Sequence, residues 1–256
     1  MPSKISRRIF IKKIFGSIIS LLVASTGGYY YAKEIEPKSL DITRHLISHP
    51  LIPQGFNQFK MIQFSDTHLG FQFTLEQLNK LVDRINQLKP DVVFFTGDLM
   101  DEPNKFANSN QIIPILLKIN APFGKFAIYG NHDHGGYGTD LYHTIMDHSG
   151  FVVLKNEGFE IKLADQSYIH IIGLDDAMLG NPNLVEAMEE LPSDSYKILL
   201  AHEPDLAEKV VGQGVHFQLS GHSHGGQVKV PFVGALITPP YSQLYQEGFY
   251  EIGDSA

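Results

Sequence analysis

An α/β fold of two packed sheets with helices outside is predicted by three observations. Short apolar runs at 61–64, 92–95, 126–129, 198–200 and 215–219 each end in polar residues. Amphipathic segments of helical period separate the first of these runs, the alternation that builds parallel sheets. From Glu160 the rhythm changes to strand, turn, strand, which asks for an antiparallel hairpin and a second sheet. With 256 residues, 43 % hydrophobic and 19 % charged, the chain is long enough for one large domain of this kind.

The first 33 residues are a different material. Lys4, Arg7, Arg8, Lys12 and Lys13 precede any acidic residue, and no charge occurs from Ile14 to Ala32. Ser6-Arg7-Arg8-Ile9-Phe10-Ile11-Lys12 resembles a twin-arginine export signal, followed by a mild apolar stretch interrupted by Gly16, Ser17, Ser20, Gly27 and Gly28. Residues 14–32 also suit a membrane anchor, and Val23-Ala24-Ser25 makes a poor cleavage site. Residues 1–33 are therefore read as a twin-arginine-type signal or an anchor. Either reading places the globular part outside the cytoplasm: secreted, in the cell wall or periplasm, or tethered to the membrane.

Residues 34–58 read as a linker with an entering strand, where Pro37, Pro50 and Pro53 exclude a long helix. The domain proper is expected over 59–256, starting with a buried strand at Phe59–Phe64. Thr74-Leu75-Glu76-Gln77 has the form of a capping box, and Leu75, Leu78, Leu81, Val82, Ile85 and Leu88 mark one helical face that Pro90 ends. Val92–Phe95 is apolar on both faces, as a central strand is. A second helix is expected at 112–119 with Pro114 in its first turn, and a third at 139–148 closed by Gly150. The 126–129 and 151–154 runs read as strands, and 160–163 with 168–172 as the hairpin. A short helix at 184–191, a strand at 196–200 and a helix at 206–211 follow, before a proline-aromatic tail.

The strand ends carry the chemistry. The runs lead in turn to Asp66-Thr67-His68, to Gly97-Asp98, to Gly130-Asn131-His132-Asp133, to His202, and to Gly221-His222-Ser223-His224-Gly225-Gly226. In open α/β sheets ligands bind beyond the carboxyl ends of the strands. The chain has no cysteine, so disulfides and thiolate sites are excluded and any metal must be held by oxygen and imidazole. Asp66, His68, Asp98, Asn131, His202, His222 and His224 supply seven such groups from five strand ends. His45, His49, His143, His148, His170 and His216 stand outside these blocks and fit ordinary capping or core roles. His134 has no role beyond lying beside the site, and Asp175-Asp176 reads as a turn. The formal charge of −8 argues against nucleic acid as a partner.

In order, these blocks resemble the calcineurin-like metallophosphoesterase superfamily, and the Gly-His-Ser-His-Gly-Gly-Gln ending with the export signal is similar to its exported bacterial phosphodiesterase branch. The resemblance implies a calcineurin-like four-layer α/β/β/α sandwich of two mixed sheets. It implies two divalent metal ions, Mn, Fe or Zn: one on Asp66, His68, Asp98 and His224, the second on Asp98, Asn131, His202 and His222, with Asp98 as bridge. Phosphodiester or pyrophosphate bonds would be hydrolysed by attack of a metal-bridged hydroxide. His132 corresponds to a non-ligand histidine that protonates the leaving oxygen, and Asp101 to the carboxylate that orients it.

Two departures bear on substrate and completeness. Where the protein-phosphatase branch has an arginine, Glu102 stands, which disfavours phosphoproteins. Relatives also continue past the segment matching 249–254, so a domain lacking the last family strands is expected. The alternatives are a UDP-2,3-diacylglucosamine-type pyrophosphatase acting on a lipid precursor, or a truncated non-catalytic binding module of the same fold. Phe71, Phe73 and the tail around Tyr241 form either an apolar wall for a lipid-like substrate or core and lid. The expected partners are a small phosphoester substrate, lipid-linked ones included, the membrane through the N-terminal segment, and the twin-arginine translocase. A monomer is expected.

Overall fold

The computed structural model describes residues 6–35, 39–134, 139–226, 229–230, 234–235 and 237–253, and the chain forms two compact units, Met1–His45 and Leu46–Ala256. In the first unit, Ser6 caps Arg7–Tyr30 (α1) by accepting from the Ile9 N–H, and a π-helical turn, Tyr31–Ile35, continues it. This helix is long and apolar, and none of its described side chains is buried. By length and composition it suffices to cross a membrane, a test that a signal sequence also passes.

In the second unit, Met61–Phe64 (β1), Val92–Phe95 (β2), Lys125–Ala127 (β3) and Val152–Val153 (β4) lie side by side in that order, every pair parallel. Parallel neighbours need crossovers, and the sequence supplies them as helices. Leu75–Leu88 (α2) joins β1 to β2. Its capping box is formed as expected, Thr74 accepting from the Gln77 N–H while the Gln77 side chain accepts from the Thr74 N–H, and a left-handed Lys89 ends it. Ile112–Leu116 (α3) lies between β2 and β3, and Asn131–His134 (α4) with Thr139–His148 (α5) between β3 and β4.

The second sheet runs Glu157–Lys162 (β5), Tyr168–Gly173 (β6), Lys197–Leu200 (β7) and Phe217–Leu219 (β8). The β5–β6 pair is the expected hairpin, and β6–β7 and β7–β8 are parallel. Leu184–Met188 (α6) and Ala207–Val210 (α7) are its helices, and a two-stranded ribbon, Lys229–Val230 (β9) with Gly234–Ala235 (β10), follows.

Period-two alternation sorts the strand residues into layers. Val93 and Phe95 of β2 face a core shared with Leu78, Val82 and Ile85 of α2 and Tyr142, Ile145 and Met146 of α5. Their neighbours Val92 and Phe94 face the other way, onto Ile169 and Ile171 of β6 and Ile198 and Leu200 of β7. Ile172 and Leu199 on the far side of that sheet meet Ala187 of α6 and Val210 of α7. Three apolar interfaces therefore separate four layers, helix, sheet, sheet, helix.

The chain differs from expectation at its entrance. No strand occurs among the described residues of 34–58; Pro53 instead heads a 3₁₀ turn, Gln54–Phe56, and prolines cannot donate to a ladder. The second unit opens at Leu46, and Ile47, Ile52, Phe56 and Phe59 pack into the inter-sheet core. The helix expected over 112–119 ends at Leu116, where a turn replaces its last residues.

Candidate metal centre

β1, β2, β3, β7 and β8 all deliver their next residues to one end of the two sheets. There the backbone leaves the extended region abruptly: Asp66, Asp98, His222, His224 and His68 have φ of 51, 61, 66, 47 and 38°. Left-handed backbone costs a residue with a Cβ about 1–3 kcal/mol, and such residues collect at functional sites. Asp98 is reached through Gly97, at φ 98°, where a Cβ would lie 2.6 Å from the Gly130 nitrogen and 2.7 Å from His202 Nδ1. A Cβ on Gly130 would in turn overlap Asp98 Oδ1. Both glycines let the carboxylate stand between two strand ends.

Seven side chains predicted as ligands fall in this region, and six of them form two groups whose candidate atoms lie within 4.8 Å of one another: Asp66, His68 and His224, and Asp98, His202 and His222. A third such group joins His68 and Asp98 to His132. Asp98 Oδ2 is the link, 3.4 Å from His68 Nε2 and 3.3 Å from His202 Nε2. His68 Nε2 is 3.1 Å from His224 Nε2, and Asp66 Oδ1 is 3.6 Å from His224 Nε2 and 3.9 Å from His68 Nε2. Ligands bound tetrahedrally at about 2.0–2.2 Å stand roughly 3.3–3.6 Å apart, and three of these five separations fall in that range.

Buried atoms give the same answer. His202 Nδ1 donates to the Thr96 carbonyl at 2.6 Å, which leaves Nε2 as the lone pair. That Nε2 and the side-chain oxygen of Asn131 are both buried without a hydrogen-bond partner. Orphaned buried acceptors are costly, and a bound cation is one way to satisfy such atoms. The donor set, imidazole, carboxylate and amide without sulfur, suits Zn²⁺, Mn²⁺ or Fe.

The electrostatics are those of a charged pair held in the interior. Burial would raise the Asp98 carboxyl, but the adjacent His202 and His68 charges outweigh it and hold the group well below the usual carboxylate range. Burial pushes His202 down while Asp98 pulls it further up, for a net rise well above the ordinary imidazole value.

Asp133, to which the sequence motifs assign no role, holds the turn at Asp98. Completely buried, its carboxylate accepts from the main-chain N–H groups of Asp98 (2.7 Å), Gly130 (2.9 Å) and Leu99 (3.1 Å). It therefore fixes the turn that presents Asp98. Burial and the nearby Asp98 charge push its own carboxyl up to about 8 against the pull of those three donors. Its signal was the one acidic residue in the first turn after Gly130-Asn131-His132. His134, also without a role, donates from Nε2 to Asp175 Oδ1 at 2.6 Å, tying α4 to the loop after β6.

Asp101 differs from expectation. His132 Nδ1 lies 2.7 Å from the main-chain carbonyl of Asp101 and 3.8 Å from its carboxylate. The carboxylate is nearer to His68 Nδ1, at 3.3 Å. Asp101 orients His132 through its backbone and faces His68 with its side chain. Asp101, Glu102, Pro103, Asn104, Lys105, Asn131 and His132 line a cavity of about 420 Å³ beside the centre, in which Glu102 is paired with Lys105. Of the apolar residues expected as wall or core, Phe73 packs into the helix-side core, whereas Phe71 is 70 % exposed.

Fold and site together define a metal-centred α/β protein. Residues 59–226 match the calcineurin-like phosphoesterase family. The uncharacterized metallophosphoesterase YkuE of Bacillus subtilis (strain 168) is 48 % identical over 252 residues, 98 % of this chain and 88 % of that protein. Phosphodiesterase YaeI of Escherichia coli (strain K12) is 28 % identical over 98 % of this chain and 89 % of its own length. UDP-2,3-diacylglucosamine pyrophosphatase LpxG of Chlamydia muridarum (strain MoPn / Nigg) is 25 % identical over 84 % of this chain and 78 % of its own. The chain belongs to the calcineurin-like phosphoesterase family and is a metal-dependent phosphoester hydrolase.

Proposed function

We propose that the chain is a dinuclear phosphodiesterase in which Asp66, His68, Asp98 and His224 hold one divalent cation and Asp98, Asn131, His202 and His222 the other. The observation that carries this reading is the position of Asp98 Oδ2, within 3.4 Å of one histidine from each group. Two cations there would supply Lewis-acid charge to the attacking and leaving oxygens of an in-line displacement. The rest falls to the chain's own residues. Asp98 neutralises charge on both sides, and Asn131 adds an oxygen without adding charge. His132 Nδ1 donates to the Asp101 carbonyl, which leaves Nε2 to serve the cavity that His132 lines. As a phosphorus–oxygen bond forms to water, which loses a proton to solvent, and the bond to the leaving alcohol breaks, His132 acting in its doubly protonated form gives the departing oxygen its Nε2 proton and regains one from solvent. Diesters or pyrophosphates are the substrates this reading favours.

The test is metal analysis of the detergent-solubilised full chain together with hydrolysis of bis-p-nitrophenyl phosphate. Two ions per chain and turnover lost on chelation are expected; a single ion with full activity would refute the dinuclear reading.

A lipid-linked pyrophosphate is the second reading. Exposed Phe71, three residues beyond His68, and the similarity to the Chlamydia pyrophosphatase favour it. Paired Arg7 and Arg8 ahead of α1 support export by the twin-arginine route, with the site outside the cytoplasm. Lysine at both positions should trap the protein inside, and unchanged export would leave α1 as a plain anchor.

A further inference from the structure

We infer that the tail from Pro239 to Gln246 is part of the metal centre's support, and that Asp205 is the positioning residue that holds it there; this rests on the reading of His222 as a ligand. His222 Nε2 lies 2.8 Å from the main-chain carbonyl of Pro240. A carbonyl only accepts, so Nε2 carries the proton and Nδ1 is the one lone pair the ring can offer a cation. The choice of ring nitrogen at His222 is thus made by a residue of the tail.

The tail stays in place through Asp205. Its Oδ2 accepts from the Gln243 N–H at 2.8 Å, and its Oδ1 from Leu244 and Tyr245 at 3.1 and 3.2 Å. The Asp205 N–H donates to the Tyr241 carbonyl at 2.9 Å, so the two segments are tied in both directions. Buried Ser242 donates to the Pro239 carbonyl at 2.9 Å, and Ser223, next to His222, donates to the Gln246 carbonyl at 2.6 Å. Tyr245 is bonded to Glu208 of α7.

Asp205 sits in the turn Pro204–Leu206, three residues beyond His202. The loop that carries one imidazole therefore grips the tail, and the tail grips the other imidazole, 4.9 Å away between ring centroids. A single carboxylate accepting three N–H groups links the two histidines of one cation without touching the cation. Partners that orient a ligand in this way typically alter metal affinity by about 10–100-fold when removed.

The experiment titrates the metal-free full chain in detergent with Mn²⁺ by calorimetry, for wild type, Asp205→Ala, Asp205→Asn and His222→Ala, and records the ¹⁵N shifts of the labelled His222 ring. Asp205→Ala should weaken one of the two ions about 10–100-fold and leave the other unchanged. The ring of His222 should then pass from a single Nε2–H tautomer to a mixture, a signature that loss of bulk stability would not give. Asp205→Asn, which keeps an acceptor of the same shape, should fall between the two, and it decides the matter if the alanine variant does not fold. Unchanged affinities and an unchanged tautomer in both Asp205 variants, with an ion lost in His222→Ala, would overturn the inference alone. Two tightly bound ions in His222→Ala would overturn the ligand reading beneath it.

Discussion

The two halves of the candidate centre are built from the same residue types and held in different ways. On one side, Asp98 and His202 have side chains 2 % and 0 % exposed, and the far nitrogens of His202 and His222 rest on main-chain carbonyls. On the other, His224 is 33 % exposed and the far nitrogen of His68 faces the carboxylate of Asp101. A main-chain carbonyl neither titrates nor swings, whereas a side-chain carboxylate does both. On the dinuclear reading proposed above, the buried half would be preorganised for a permanent ion and the open half for one that meets solvent and substrate.

The largest effect should come from the atom common to both halves. Asp98→Asn is expected to weaken both ions and to cut activity by more than the roughly 100-fold that losing even an outer partner of a ligand can cost. Tight binding of two ions in that variant, by elemental analysis, would separate the halves and remove the bridge. His132→Ala should leave metal content intact and slow turnover by roughly 10²–10⁴-fold, more on alkyl diesters than on an aryl diester whose phenolate leaves without help. Equal slowing of both esters would show that His132 donates no proton.

The comparison itself is sharpened by chelation. Stepwise removal of metal should proceed in two phases, the open ion first, and His224→Ala should lose only that ion while His202→Ala loses the buried one. A single concerted phase would make the halves equivalent. The smallest effect is assigned to Asp101→Asn: a drop of about tenfold in affinity for the open ion, with the ester preference set by His132 unchanged because its carbonyl partner survives. A changed preference between alkyl and aryl esters would return the carboxylate to His132.

Much of this was legible in the sequence because strand ends advertise themselves: an apolar run followed by Gly-Asp or Gly-Asn-His is a local pattern. The capping box at Thr74, the hairpin after Glu160 and the seven candidate ligands all rest on residues adjacent in the chain. What stayed hidden depends on burial and long range. Asp133 stands inside a motif read for its neighbours, and nothing local says that its carboxylate will be sealed under Asp98 rather than turned to the metals. Pro240 contributes only a carbonyl, which every residue has, so its service to His222 carries no mark in the sequence. The division of Asp101 between a backbone contact and a side-chain contact is likewise a matter of a few ångströms, beyond what residue type can decide.

The left-handed backbone at Asp66, His68, Asp98, His222 and His224 has one more consequence. Steric cost of about 1–3 kcal/mol at each position is present whether or not an ion is bound, and a bound ion adds to what offsets it. A bound cation adds about 2.7 kcal/mol at a hundredfold excess over its Kd, so heat stability and metal content become one variable, and a melting temperature describes this protein only alongside its divalent cation. Glycine, rather than alanine, is then the proper blank at these five positions. It removes the ligand and the steric cost together, and separates a residue's service to the ion from its burden on the fold.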